Sequence, residues 1–154
     1  MVFFLGTTPL HWASHYGKLE VVQYLVTFFD DTNSKSKRGE TPLHFATKAE
    51  NFEVLKLLLE FSKNKNPASN DGWTLLHMAA KQGNLDIFEH VWNLTEEKFP
   101  SNESAYTQLN VGKNPRNESG YTPLHLACER GHLKIVKFLV SRLKGKNFNQ
   151  VCSI

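Results

Sequence analysis

Residues 120–140 read GYTPLHLACERGHLKIVKFLV. One threonine, two histidines and a cysteine sit in this span, and its second half is apolar. Two readings compete: His125 and Cys128 are reactive groups, or they are parts of a scaffold. A lone copy would leave both open. The rest of the chain decides, because the same words return. GTTPLHWASHYGKLEVVQYLV starts at Gly6, GETPLHFATKAENFEVLKLLL at Gly39 and GWTLLHMAAKQGNLDIFEHVW at Gly72. The leading glycines stand 33, 33 and 48 residues apart, the last interval being one period plus 15 further residues. A fixed period in this range marks a stacked repeat architecture. His11, His44, His77 and His125 hold one motif position in four units. A catalytic histidine is rarely copied once per unit. An imidazole that ties one unit to the next is, because a packed ring needs partners for its nitrogens.

Each unit predicts two helices. In the last, Thr122 is a good N-cap, since its hydroxyl can accept from an exposed backbone N–H. Pro123 follows at the first helical position, where its missing N–H costs nothing. Leu124 and Ala127 face inward. Gly131 ends the short helix, because glycine takes a left-handed cap without strain. His132 opens the second helix, and Leu133, Ile135, Val136, Leu139 and Val140 give it a wide apolar face. Unit one repeats this with Thr8, Pro9, Leu10, Ala13 and Gly17, then Leu19, Val21, Val22, Leu25 and Val26. Unit two has Glu50 at the glycine position with Asn51 next, so the left-handed turn is expected to shift by one residue onto the asparagine. Unit three has Leu75 in place of proline, which weakens nothing essential. No helix hides its apolar face alone, so neighbouring units must stack into one continuous core.

The pattern G-x-T-P-L-H-x-A with an apolar second half resembles the ankyrin repeat, over about residues 2–149. The resemblance implies an all-α solenoid of stacked antiparallel helix pairs with extended finger loops. The repeats fall at approximately 3–35, 36–68, 69–116 and 117–149, with the insertion near 95–112. Residues 150–154 are a tail or the start of a further repeat. The finger stretches FFDDTNSKSKR and FSKNKNPASND lack the family's glycine-alanine pair. The fingers are divergent, and the motif leaves their register open.

The chain has 154 residues and 40% apolar content, which suits one compact domain. No apolar run reaches the about 18 residues of a membrane span, and VFFL near the start is too short for a secretory signal. Cys128 and Cys152 make no disulfide framework, so a reduced, intracellular setting, most simply the cytoplasm, is expected. Asn93, Asn102 and Asn117 head glycosylation-type triplets, read as chance matches in an Asn- and Ser-rich chain. The extra residues after unit three could prolong its second helix over 95–98 until Pro100 stops it. Beyond lies a long Asn- and Ser-rich loop, either passive or in contact with a partner. Phe3, Phe4, Phe148, Val151 and Ile154 leave both ends apolar, as in a fragment of a longer array or one capped by a partner or second copy; the alternative is that these ends fold back and cover the terminal helices.

The resemblance also implies a protein partner on the concave face, formed by finger tips and first helices. The family's variable positions map here to Tyr16, Lys37, Arg38, Lys48, Trp73, Lys81, Tyr121 and Arg130, among others. Trp, Tyr and Arg are enriched in binding hot spots. Trp73 and Tyr121 share the position after the repeat glycine, where an exposed Trp would be unusual without a use. A second clue is charge. Lys35, Lys37 and Arg38, then Lys63 and Lys65, then Lys113 and Arg116, then Arg142, Lys144 and Lys146 recur at similar phase. Such a stripe suits an acidic protein segment. Nucleic acid or an anionic membrane surface is the weaker alternative, because the net charge is only +3 and acidic residues interrupt the stripe. No phosphate-binding loop, dinucleotide glycine pattern or nucleophile elbow occurs. Cys128 and His132 are four apart, but Gly131 lies between them and no second pair of ligands is near, so no metal or other cofactor is implied. Cys128 reads as a small packing residue. The function expected is non-catalytic binding.

Overall fold

The computed structural model describes residues 6–29, 31–96 and 116–142. Eight helices among them form four pairs: α1 (Pro9–His15) with α2 (Leu19–Val26), α3 (Pro42–Lys48) with α4 (Phe52–Phe61), α5 (Leu75–Gln82) with α6 (Leu85–Glu96), and α7 (Pro123–Glu129) with α8 (Leu133–Arg142). The first helices pack in a row, α1 on α3, α3 on α5 and α5 on α7, and α2 packs on α4 and α6 on α8 behind them. The motif leucines Leu10, Leu43, Leu76 and Leu124 are buried, with Val22, Leu55 and Phe88 behind them in one core. The sequence-predicted pairs are thus the observed ones. Residues 97–115, which include most of the insertion, lie outside the described residues, as do the apolar ends and the lysines at 113, 144 and 146.

The threonine caps work through histidine. The backbone N–H of Thr8, Thr41, Thr74 and Thr122 donates to Nδ1 of His11, His44, His77 and His125 at 3.0–3.2 Å. An Nδ1 that accepts carries no proton, so each neutral ring holds its proton on Nε2. His11 Nε2–H then donates to the Glu40 carbonyl at 3.1 Å, His44 to Trp73 at 3.0 Å and His77 to Tyr121 at 3.0 Å. Each acceptor belongs to the next unit. The scaffold reading of the repeated histidine therefore holds, and the mechanism is a two-ended ring that caps its own helix and clasps the next finger.

The divergent fingers close alike. Ser36, Ser69 and Asn117 donate N–H to the carbonyl four residues on, and Gly39, Gly72 and Gly120 donate back to them, all at 2.8–3.0 Å. The side chains of Ser69 and Asn117 also accept from the backbone of Trp73 and Tyr121. Asn117 is buried in this role. Fingers are then knit together, Asn70 N–H to the Arg38 carbonyl and Glu118 N–H to the Asp71 carbonyl.

Three local expectations are corrected. The unit-two turn does not shift: Glu50 itself takes φ +58°, and Asn51 sits at φ −80°. Asn51 is held there because its Nδ2 reaches back to the carbonyls of Ser14 and His15, at 2.9 and 2.7 Å, filling the end of α1. Val21 and Leu133 are 49% and 60% exposed, whereas Val54, Ile87 and Ile135, the equivalents of Val21, are buried. Each belongs to an end unit and faces away from the stack, where no described neighbour covers it. Cys128 is exposed for the same reason, while its equivalents Ser14, Thr47 and Ala80 are buried under the next unit.

Candidate functional site

The finger and the first helix of a unit meet along a groove. Between units two and three this groove deepens into a cavity of about 210 Å³, lined by Arg38, Glu40, Ser69, Asp71 and Trp73 from the fingers and Lys48, Met78, Lys81 and Gln82 from the helices. Arg38, Lys48, Trp73 and Lys81 are four of the eight residues predicted to face a partner. They come from separate stretches and are brought together by the stacking of α3 on α5.

Trp73 is not the exposed tryptophan expected from the sequence. It is half-buried against the core, with its ring 5.9 Å from that of His77. The Lys81 ammonium lies 5.0 Å from its centroid, a cation–π distance. Its carbonyl is fixed by His44. Burial pushes the His44 pKa down to about 4, with Lys35 and His11 adding repulsion against the pull of the Trp73 carbonyl. His11 is lowered too, again chiefly by burial. Both rings stay neutral near pH 7 and keep their Nε2–H pointed at the fingers.

Three cationic side chains line the cavity against the two carboxylates of Glu40 and Asp71. Lys48 ends α3 and Lys81 is the last residue but one of α5, and their carbonyls are used by the next unit, accepting from Gln82 Nε2 at 2.7 Å and His132 Nε2 at 3.0 Å. The backbone at these positions is committed to stacking, while the exposed side chains face the cavity, Lys81 lying over Trp73. The wider basic stripe is not a row of unengaged cations. Lys35 donates to the Ala68 carbonyl at 3.4 Å, Lys65 to Glu60 at 3.4 Å and Arg116 to Gly120 at 3.0 Å.

The remaining four predicted residues lie outside this cavity. Lys37 is exposed on the first finger. Tyr16 caps α1 and stacks on Trp12, rings 6.0 Å apart. Trp12 in turn meets Phe45 of α3 edge-on at 6.3 Å, and His15 meets Phe45 at 6.2 Å. Tyr121 and Arg130 belong to unit four, Tyr121 partly exposed beside His125 and Arg130 beside Glu129. The aromatic cluster of Trp12, His15, Tyr16 and Phe45 escaped sequence reasoning in part. Its signal was the position after the motif histidine, which is Trp12, Phe45, Met78 and Leu126 in the four units, always large and apolar.

Among the described residues no group of His, Cys, Asp and Glu is arranged to hold a metal ion. His132 Nε2, half of the Cys128–His132 spacing, is engaged by the Lys81 carbonyl. No helix among them is long and apolar enough to cross a membrane. A family model for ankyrin repeats (three copies) matches residues 10–98 and again 61–152. A search of curated proteins returned no match.

Proposed function

Since the chain belongs to the ankyrin-repeat family, whose members generally act as protein–protein interaction modules, we propose that it is a non-catalytic adaptor that takes an acidic protein segment along its inner groove. The observation that carries this reading is the convergence of Arg38, Lys48, Trp73 and Lys81 on one cavity. In this reading the segment's carboxylates meet the three cations, and its apolar side chains lie on Trp73 and on the Trp12–Tyr16–Phe45 cluster further along the row. Tyr121 and Arg130 extend the groove over unit four, and Lys37 stands at its rim. The surface is preorganised by backbone hydrogen bonds, so binding orders little of the protein. No cofactor enters, and an intracellular setting suits the exposed thiol of Cys128.

A displayed library of random peptides is the probe. Selected peptides should be rich in Asp and Glu with interspersed apolar residues. Trp73→Ala should weaken them by about 2 kcal/mol, roughly thirtyfold, as for a hot-spot truncation. Lys48→Glu changes an exposed side chain and should weaken them without moving Tm, and adding Lys81→Glu should weaken them further at the cost of the Lys81–Trp73 contact. Peptides that ignore Trp73→Ala and are stripped by salt would transfer the site to the basic edge, and single-stranded DNA or anionic vesicles would then compete with them.

A further inference from the structure

The cations of the inner cavity are placed unlike the rest of the basic stripe. Lys35, Lys65 and Arg116 each donate to a backbone carbonyl. Arg38, Lys48 and Lys81 line one cavity instead, with Glu40 and Asp71 in the same walls. Even so, no ion pair among the described residues ties any of the three to a carboxylate. The contact of Lys81 is with the Trp73 ring, 5.0 Å from its centroid. Between the cations the lining is apolar, with Trp73 half-buried and Met78 buried. The volume of about 210 Å³ holds one large side chain.

An Asp or Glu side chain satisfies only half of such a place. Its carboxylate can meet the cations, but its short aliphatic stem leaves Trp73 and Met78 uncovered. A flat apolar body with a multiply charged tip meets both. Phosphotyrosine has that form: its phosphate carries about −1.5 to −2 charges at pH 7 and three acceptor oxygens.

We propose that the cavity between units two and three takes a phosphotyrosine side chain of the bound segment. The aromatic ring lies on Trp73 and against the Met78 sulfur, a favourable neighbour for a ring edge. The phosphate meets Lys48 and Lys81 on the helix side and Arg38 on the finger side. A guanidinium can take two phosphate oxygens at once. Glu40 and Asp71 repel an anion seated anywhere but on the cations, which restricts where the phosphate can sit. A mononucleotide also joins a flat body to a phosphate. The groove favours the peptide, because it runs on past the cavity toward Trp12 and Tyr16 on one side and Tyr121 on the other, as a ligand carried on a chain requires. The proposal rests on the reading of this groove as a site for a protein segment, and it makes binding depend on phosphorylation of the partner.

The test uses parallel sets of synthetic peptides, random except for a central tyrosine, phosphotyrosine, phosphoserine or glutamate, titrated by fluorescence anisotropy against the intact chain. The phosphotyrosine set should bind about tenfold or more tighter than the tyrosine and glutamate sets. It should also exceed the phosphoserine set, which has no ring to lay on Trp73. Lys48→Gln changes an exposed side chain and should cut the advantage over tyrosine about fivefold. Trp73→Ala should erase the advantage over phosphoserine and leave the one over tyrosine; should that variant fail to fold, Lys48→Gln still decides. Glutamate peptides that bind as tightly as phosphotyrosine ones would overturn this assignment and leave the acidic-segment reading standing. Binding by none of the sets overturns both. Equal binding of phosphoserine and phosphotyrosine removes the ring from Trp73, and adenosine monophosphate that outcompetes every set would give the cavity to a nucleotide; either result ends the proposal.

Discussion

The boundary between units two and three and the outer side of unit four are built from the same residue types and are finished differently. At the inner boundary His44 donates to Trp73, Asn70 bonds Arg38, and Gln82 bonds Lys48. Thr47 is buried, with its hydroxyl donating to the Leu43 carbonyl. At the outer side His125, Cys128 and Leu133 occupy equivalent positions, and the Nε2 of the first has no acceptor among the described residues while the other two are exposed. A repeat motif therefore specifies half an interface. Whether a motif residue is core, clasp or surface depends on whether a neighbour follows it, because a repeat array's stability is a sum of unit and interface terms.

The largest effect should separate these two places directly. His44→Ala removes a fully buried ring, strands the Thr41 N–H and leaves the Trp73 carbonyl with the Ser69 N–H alone. The cavity and the one unpaired N–H together should cost about 3–4 kcal/mol. His125→Ala loses the bond from Thr122 and should cost under about 2 kcal/mol. Urea unfolding of the two variants measures the difference. Equal losses would mean that the terminal boundary is as closed as the inner one.

Acid should attack the inner boundary next. The unfolded chain binds a proton at His44 near pH 6.5, while the folded chain resists until about pH 4, because burial disfavours the charged ring. A lowered histidine pKa means the unfolded state carries more protons between those values. Stability is full above pH 6.5 and falls as pH drops toward 4, by about 3 kcal/mol for His44 alone, with His11 acting in the same direction. Tm measured from pH 7.5 to pH 4 should show this slope, and His44→Gln should flatten it. A slope that survives the substitution would place the sensitive group elsewhere.

Most of the fold was legible because the determinants are local and copied. Threonine, proline and histidine at fixed offsets cap a helix, and four copies of one offset cannot be coincidence. The inner groove was legible as a set of positions, though not as a site. That Arg38, Lys48 and Lys81 meet at Trp73 depends on how far one unit rotates against the next, which no single motif encodes. Trp73 was misjudged because a finger residue looks solvent-bound until the neighbouring helix, with Lys81 and Met78, is placed beside it. The finger register was hidden for a different reason. It rests on backbone bonds and on one side-chain oxygen that Ser or Asn can supply equally well.

The smallest effect concerns a residue that breaks the pattern inside the array. Gly17, Gly83 and Gly131 close the first helix in units one, three and four, while unit two uses Glu50 at φ +58°. Left-handed backbone costs a side-chain-bearing residue about 1–2 kcal/mol. Some of that returns through Asn84, whose Nδ2 donates to the Glu50 carboxylate at 3.0 Å, an exposed bond worth about 0.5 kcal/mol. Elsewhere the residue in the place of Asn84 reaches the carbonyls at the preceding helix end, as Asn51 and His132 do. Here Gln82 already covers the Lys48 carbonyl, which leaves Asn84 available to the carboxylate. Glu50→Gly removes the strain and the weak bond together, and it loosens the unfolded chain, which takes back part of the gain. A net stabilisation of about 0.5 kcal/mol is expected, read as a small rise in urea midpoint. Glu50→Ala keeps the strain and loses the bond, so it should lower the midpoint. If glycine lowers it as well, the Asn84 contact outweighs the backbone, and this boundary is held by side chains where its neighbours are held by glycine.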